Sequence, residues 1–228
     1  LRVAGQNVLS NTTTVTYLVD AATAAYNINN DATLAAMGIE ATASNRSVAN
    51  TYTSLITFSD TATSGTLTLN FYIGQADVTS PTFSITGITA NTTLNDLVTQ
   101  INSQASANNA PISARADNGK LVLETSNGET IAIEAEFTRT SGTGTATINF
   151  GQLLEGASSV ASVTNYAYAI KVGSLDIAGT DSFVVNENGI DIVGGTGPDP
   201  TIDSTFTNLY AIDVTSNEGA ERALLITK

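Results

Sequence analysis

The sequence has no cysteine, no histidine and no tryptophan, and one methionine among its 228 residues. Without cysteine there is no thiol nucleophile and no disulfide staple. Without histidine a Ser-His-Asp triad cannot be built, and Cys/His zinc sites and haem ligation fall away with it. Positive charge is scarce as well. Eight Lys and Arg against 21 Asp and Glu leave a net charge of −13 and a pI near 4.1. A phosphate backbone is held by Lys and Arg contacts, so nucleic acid is not an expected partner. Long apolar runs are missing too: no stretch of about 18 apolar residues offers a membrane span, and no signal-peptide pattern opens the chain.

What is present is polar without being charged. Charged residues make up 13% of the chain, yet 42% of residues are hydrophobic and the mean hydropathy is +0.09. Thr, Ser and Asn stand where charge usually stands, with Ser plus Thr at roughly a quarter of the chain, above ordinary globular usage. The apolar residues are patterned, which is what folding requires. The first residue is Leu1 and the last are Leu224-Leu225-Ile226-Thr227-Lys228, inside an apolar periodic stretch. A piece of a longer protein is therefore expected.

Short β-branched runs with period-2 alternation recur between Asn-Gly pairs. Asn118-Gly119, Asn127-Gly128 and Asn188-Gly189 each separate two apolar runs. Both central residues of a type I′ turn need positive φ, which Asn tolerates and Gly adopts freely. The pattern predicts strands near 120–125 and 130–136 as a hairpin around Asn127-Gly128. Phe183-Val184-Val185 and Ile190-Asp191-Ile192 form a second hairpin around Asn188-Gly189. Further strands are expected at Leu67–Ile73 and Thr82–Ile85.

Helices are few. Leu94, Leu97, Val98 and Ile101 repeat at i, i+3, i+4, i+7, with Thr92 or Thr93 as N-cap and Asp96 in the first turn. This helix fades over Ser103–Asn109 before Pro111. Thr215 and Glu218 have capping-box spacing and predict a second helix start. Thr140–Gly144 and Gly194–Pro200 read as linkers, the second more strongly because two prolines and three glycines stop regular structure. Ser44–Tyr52 reads as a crossing back from the far side of the chain. No fixed-period repeat runs through the sequence.

Several residue groups invite chemistry and have plainer explanations. Asn186-Glu187-Asn188-Gly189-Ile190-Asp191 has the look of a calcium loop, but Gly195 stands where the bidentate Glu belongs, and a hairpin turn accounts for it. Asp199 and Asp203 beside Gly194–Gly197 read as a solvated loop. That glycine run lacks the Lys-Ser/Thr of a phosphate loop. Glu134/Glu136 and Asp176/Asp181 are carboxylate pairs of the kind a glycosidase uses. Strand alternation puts Glu134 and Glu136 on one solvent-facing surface, and nothing aromatic clusters nearby to bind a sugar ring. Tyr166 and Tyr168 share a strand face and read as packing residues. Asn11-Thr12-Thr13 and Asn91-Thr92-Thr93 match the N-glycan sequon as this composition would by chance. No catalytic, cofactor-binding or metal-binding residue is assigned, and no cofactor is expected.

Between Gly87 and Glu134 the order of elements resembles the flagellin hook IN motif. The carriers are Thr92 to Asn102 (Thr-Thr-Leu-x-Asp-Leu-Val-x-x-Ile-Asn), then Ile112-Ser113-Ala114-Arg115-Ala116, Asn118-Gly119-Lys120-Leu121-Val122-Leu123 and Asn127-Gly128-Glu129-Thr130-Ile131. Ile212–Ala223 resembles the segment where a flagellin chain re-enters its rod domain, and Leu1–Asn7 the strand that leaves it. The resemblance implies a mostly β, α+β fold. An antiparallel β-rich outer domain with one or two short helices would be attached to a partial inner rod domain. Residues 1–45 and 201–228 would form the discontinuous edge of that rod, and 46–200 the variable outer domain. It implies a structural, non-enzymatic subunit of the bacterial flagellar filament, secreted through the flagellar export apparatus. Other copies of itself would be its partners, O-glycans are a family tendency, and the piece alone would be monomeric. A filament cap or hook-associated protein, and a surface adhesin or carbohydrate-binding domain, are the alternative readings.

Overall fold

The computed structural model describes residues 1–9, 19–74, 79–161, 166–186 and 202–203. Two compact units emerge. The first takes the described residues within 1–14, 21–43 and 174–228, and the second those within 15–20 and 44–173. Strands and helices are numbered along the chain.

The second unit is built on long alternating strands. β6 (Ser64–Ile73) buries Leu67, Leu69, Phe71 and Ile73 and turns Thr66, Thr68, Asn70 and Tyr72 to its other face. The period-2 geometry of a strand makes this split inevitable once one face meets a core. β6 lies between β7 (Phe83–Ile88) and β10 (Ile131–Ser141), and β10 also pairs with β13 (Tyr166–Lys171), all antiparallel. Register places Leu67 opposite Phe137 and Phe71 opposite Ile133. Phe71 stacks on Phe83 at 4.7 Å between ring centroids. A second sheet joins β4 (Arg46–Thr51), β9 (Lys120–Thr125) and β8 (Ile112–Asp117), with β9 central. Leu121, Val122 and Leu123 are all fully buried, so β9 is covered on both faces. A third, smaller sheet orders β12 (Val160–Ala161), β11 (Ala146–Ile148) and β5 (Ile56–Phe58), with a 3-10 turn at Phe150–Gln152.

Helix α3 (Leu94–Ala107) packs against β7 and β8. Its start is the predicted one. Thr93 is the N-cap; its hydroxyl oxygen accepts from the Asp96 N–H at 3.2 Å, and the Asp96 carboxylate accepts from the Thr93 N–H at 3.2 Å. Two donors that a helix start leaves open are thereby satisfied. Leu97, Ile101 and Ala105 are buried, and each large side chain among them contributes about 1.5–3 kcal/mol by leaving water. Ala105 extends the apolar stripe one turn past Ile101, into the predicted fade over Ser103–Asn109.

The first unit uses shorter elements. β1 (Arg2–Val3) pairs with β2 (Gln6–Asn7) and with β15 (Val184–Asn186), and β15 pairs with β16 (Ile202–Asp203). β3 (Ile39–Ser44) pairs with β14 (Ser174–Gly179). Helices α1 (Ala21–Asn30) and α2 (Ala32–Ala36) precede β3, and Asp31 caps α2 by accepting from the Thr33 and Leu34 N–H groups. The sequence reading did not anticipate α1. Its buried positions Ala21, Ala24, Ala25 and Ile28 do follow i, i+3, i+4, i+7, but three of the four are alanines.

One hairpin is corrected. Strands β9 and β10 stand where Asn127-Gly128 placed them, yet they do not pair with each other; β9 belongs to the sheet of β4 and β8, and β10 to that of β6 and β13. The connection is five residues rather than two. Within it, the Glu129 carboxylate accepts from the Asn127 N–H and side-chain amide, both at 2.8 Å. Thr140–Gly144 is also no linker. It is a turn at one end of the second unit, where Arg139 donates to the Gly142 and Gly144 carbonyls and Ser64 bonds Thr140 and Ser141. The second Asn-Gly hairpin and the helix start at Thr215 lie outside the described residues, save for Phe183 and β15.

Candidate functional site: a tyrosine-bearing acidic sheet face

The outer face of the β7–β6–β10–β13 sheet gathers polar groups that the sequence keeps far apart. Antiparallel register puts Asn70 of β6 and Tyr168 of β13 on either side of Glu134, with Ser84 of β7 beyond Asn70. Asn70 Nδ2 donates to Glu134 Oε2 at 3.0 Å, and the Tyr72 hydroxyl donates to the same oxygen at 3.1 Å. Ser84 Oγ donates to Asn70 Oδ1 at 2.7 Å, which orients the amide toward the carboxylate. Burial, and then the neighbouring Glu134 charge and hydrogen bond, raise the Tyr72 pKa above the usual phenol value. Tyr168 is 68% exposed and Ile170 49% exposed on this face.

Two readings made from sequence change here. Tyr168 is not a packing residue, and tyrosines do stand beside Glu134. Cross-strand neighbours 62 residues apart in sequence carry no local signal; only the register reveals them. Chemically the arrangement holds Glu134 as a hydrogen-bond acceptor. Glu136 lies two residues along the same strand and is exposed.

The remaining candidates scatter. Asp176 is an exposed residue of β14, and Asp181 is exposed in the bend beyond it. Asn186 ends β15 and Asp203 pairs with Val184 through the backbone. Glu187–Asp191, Gly194–Gly197, Asp199 and Asn11–Thr13 lie outside the described residues, as do the side chains of Tyr166 and Asp203. Asn91 is exposed in the turn before α3, where Thr92 and Thr93 are engaged in turn and cap hydrogen bonds. Among the described residues no three Asp or Glu side chains come together as a metal site, and no helix is long and apolar enough to cross a membrane.

A second polar cluster lies at the base of the second unit, around the β9–β10 connection. Asp20, 2% exposed, accepts from the Thr130 N–H at 2.7 Å, and the Thr130 hydroxyl donates to the Val19 carbonyl at 2.7 Å. Asn45, 5% exposed, donates to the Glu129 and Lys171 carbonyls, while Thr125 N–H donates to the Asn45 carbonyl. Residues next to three of the points where the chain passes between units, at 20, 45 and 171, are thus tied to one short connection. The sequence reading gave Ser44–Tyr52 as a crossing but had no means of placing Thr130 against it.

The fold defines a mostly β, α+β protein of antiparallel sheets and short helices. Comparison with known proteins narrows the class. The chain is 42% identical over 200 residues to a flagellin of Aquifex pyrophilus, covering 86% of this chain and 37% of that protein. It is 35% identical over 221 residues to a flagellin of Aquifex aeolicus (strain VF5), covering 93% of this chain and 39% of the relative. No family model and no solved structure matches. The chain is similar to these two flagellins along most of its length, and it spans somewhat over a third of the curated relatives it matches.

Proposed function

We propose that the chain is the outer, surface-exposed portion of the subunit of a bacterial flagellar filament, working outside the cell in motility. The homology to two flagellins across 86% and 93% of the chain is the observation that carries this reading. The role is mechanical. Copies of one subunit repeat along a filament, and their outward surfaces must not adhere to one another. A net charge of −13 serves that need, because like-charged neighbours repel within a Debye length of about 8 Å at physiological salt. The lack of cysteine leaves no thiol through which displayed copies could cross-link.

In this account residues 1–45 and 201–228 form the edge of the inner rod domain, and the outer domain is the remainder, dominated by the compact unit that ends at Gly173. Export through the flagellar apparatus and O-glycans on exposed hydroxyls complete the proposal. The chain works without turnover, as a surface. The parent protein, purified and placed under assembly conditions, is expected to form long filaments under the electron microscope, while the 228-residue chain stays monomeric. A parent protein that remains monomeric, or forms only short terminal complexes, would count against a filament subunit.

A further inference from the structure

We propose that the two units are two copies of one module, and that the second is inserted into the hairpin turn of the first. Strand order carries the first half of the argument. The sheet β13-β10-β6-β7 of the second unit and the sheet β16-β15-β1-β2 of the first have the same order when read in chain sequence. In each, a hairpin (β6–β7 or β1–β2) is followed by a helix (in the first unit with the short α2 after it), then a strand pair in another sheet, then a strand that returns antiparallel beside the first strand of the hairpin.

Side chains at matching places carry the rest. At a constant offset of 73 residues, Ile28, Asn29, Ile39, Ala41 and Asn45 match Ile101, Asn102, Ile112, Ala114 and Asn118. Asn29 and Asn102 do the same work. Asn29 Nδ2 donates to the Ala41 carbonyl at 2.8 Å and the Ala41 N–H donates back to Asn29 Oδ1 at 2.7 Å. Asn102 makes the same pair of bonds to Ala114, both at 2.8 Å. Each bidentate clamp fixes a helix to the strand after it, twelve residues on. Ile28 and Ile101, one residue earlier, are both fully buried.

The match then breaks at a telling point. In the second unit, β8 leads through Asn118-Gly119, with φ of 50° and 75°, directly into β9. In the first unit, β3 leads to Asn45, and its partner β14 begins after Gly173. Gly173-Ser174-Leu175 matches Gly119-Lys120-Leu121, with Leu175 and Leu121 both fully buried. Asn45 and Gly173 are therefore the two halves of one Asn-Gly turn, and residues 46–172 are the insertion. The halves lie near one another without the positive φ of the intact turn: a Cβ on Gly173 would lie 3.1 Å from the Ser44 carbonyl oxygen. The turn is a socket in which a display domain is carried, and the outer unit's own Asn118-Gly119 turn is an equivalent socket left empty.

The test deletes residues 46–172 from the chain, joining Asn45 to Gly173, and compares it with a control that also lacks Gly173. The joined chain is expected to melt cooperatively and to keep the Ala41 amide's protection against hydrogen exchange within about tenfold of the intact chain. The control, shifted by one residue and without glycine in the turn, is expected to lose it, because a one-residue slip turns every side chain of β14 to the other face. A joined chain that is unfolded, or no better protected than the control, overturns the proposal. A complementary variant places a small soluble domain between Asn118 and Gly119. Retained protection at Ala114 is expected, and its loss together with that of the whole second unit would contradict the socket reading.

Discussion

The two units answer the same architectural problem with different materials. In the second, α3 meets its sheets through Leu97 and Ile101, and the central strands β6 and β10 run ten and eleven residues. In the first, α1 presents Ala21, Ala24, Ala25 and Ile28, and β1 and β15 are two and three residues long. Pairing order and the asparagine clamp are common to both; side-chain volume and strand length are not. The topology is therefore set by turns, alternation and the clamp, while stability follows from how much apolar surface each copy removes from water.

Core truncations strain this comparison hardest. Ile101→Ala and Ile28→Ala each empty a fully buried position and should cost about 2–5 kcal/mol. Chemical denaturation monitored separately in the two units should assign each loss to the unit that holds the isoleucine. Glycine substitutions come next. Gly119→Ala would meet the Thr51 methyl only in ordinary contact at 3.9 Å, but φ of +75° should cost about 1–2 kcal/mol for an L side chain. Gly173→Ala fails for another reason, since its methyl would run into the Gly128 carbonyl oxygen, and its melting temperature should fall further than that of Gly119→Ala.

The helix cap separates the units by pH. Thr93→Ala should cost about 1 kcal/mol, read from the thermal midpoint of the second unit. Hydrogen bonds from the Thr93 hydroxyl and N–H lower the Asp96 pKa below the ordinary carboxylate value. The cap's contribution is therefore complete above the unfolded-state pKa and is lost as pH falls through the lower folded-state value. Asp96→Asn should flatten that acid dependence for α3 amides and leave α1 amides unchanged. The smallest effect belongs to the exposed ion pairs of Glu124 with Arg46 and Arg115, about half of each arginine side chain being in solvent. Arg115→Ala should shift stability by about 0–1 kcal/mol, less in high salt.

The sequence made some of this legible and hid the rest for physical reasons. Helix α3 could be read because large apolar residues at helical spacing coincide with a Thr-x-x-Asp cap. Helix α1 could not, because alanine marks a buried face as weakly as it marks an exposed one. Asn118-Gly119 makes its expected two-residue turn, whereas at Asn127-Gly128 the same dipeptide lies in a five-residue connection between sheets. A turn dipeptide specifies a local bend but not which strands then pair. The Glu134–Tyr72–Tyr168 face depends on register across three strands. The repeated module is faint in the sequence because only scattered positions agree at the 73-residue offset, and the strand after the first copy's β3 lies beyond Gly173. Relatedness to flagellin was legible at the level of motif, through residues 92–131, and the compact boundary at Gly173 was not.

The central claim is that one module is built twice, each copy closing its own helix on its own strand. Amide hydrogen exchange at Ala41 and Ala114, in the intact chain and in Asn29→Ala and Asn102→Ala variants, tests it most directly. Each substitution is predicted to collapse protection at its own alanine and leave the other unchanged. Loss of protection at both alanines from either single substitution, or at neither, would contradict the account.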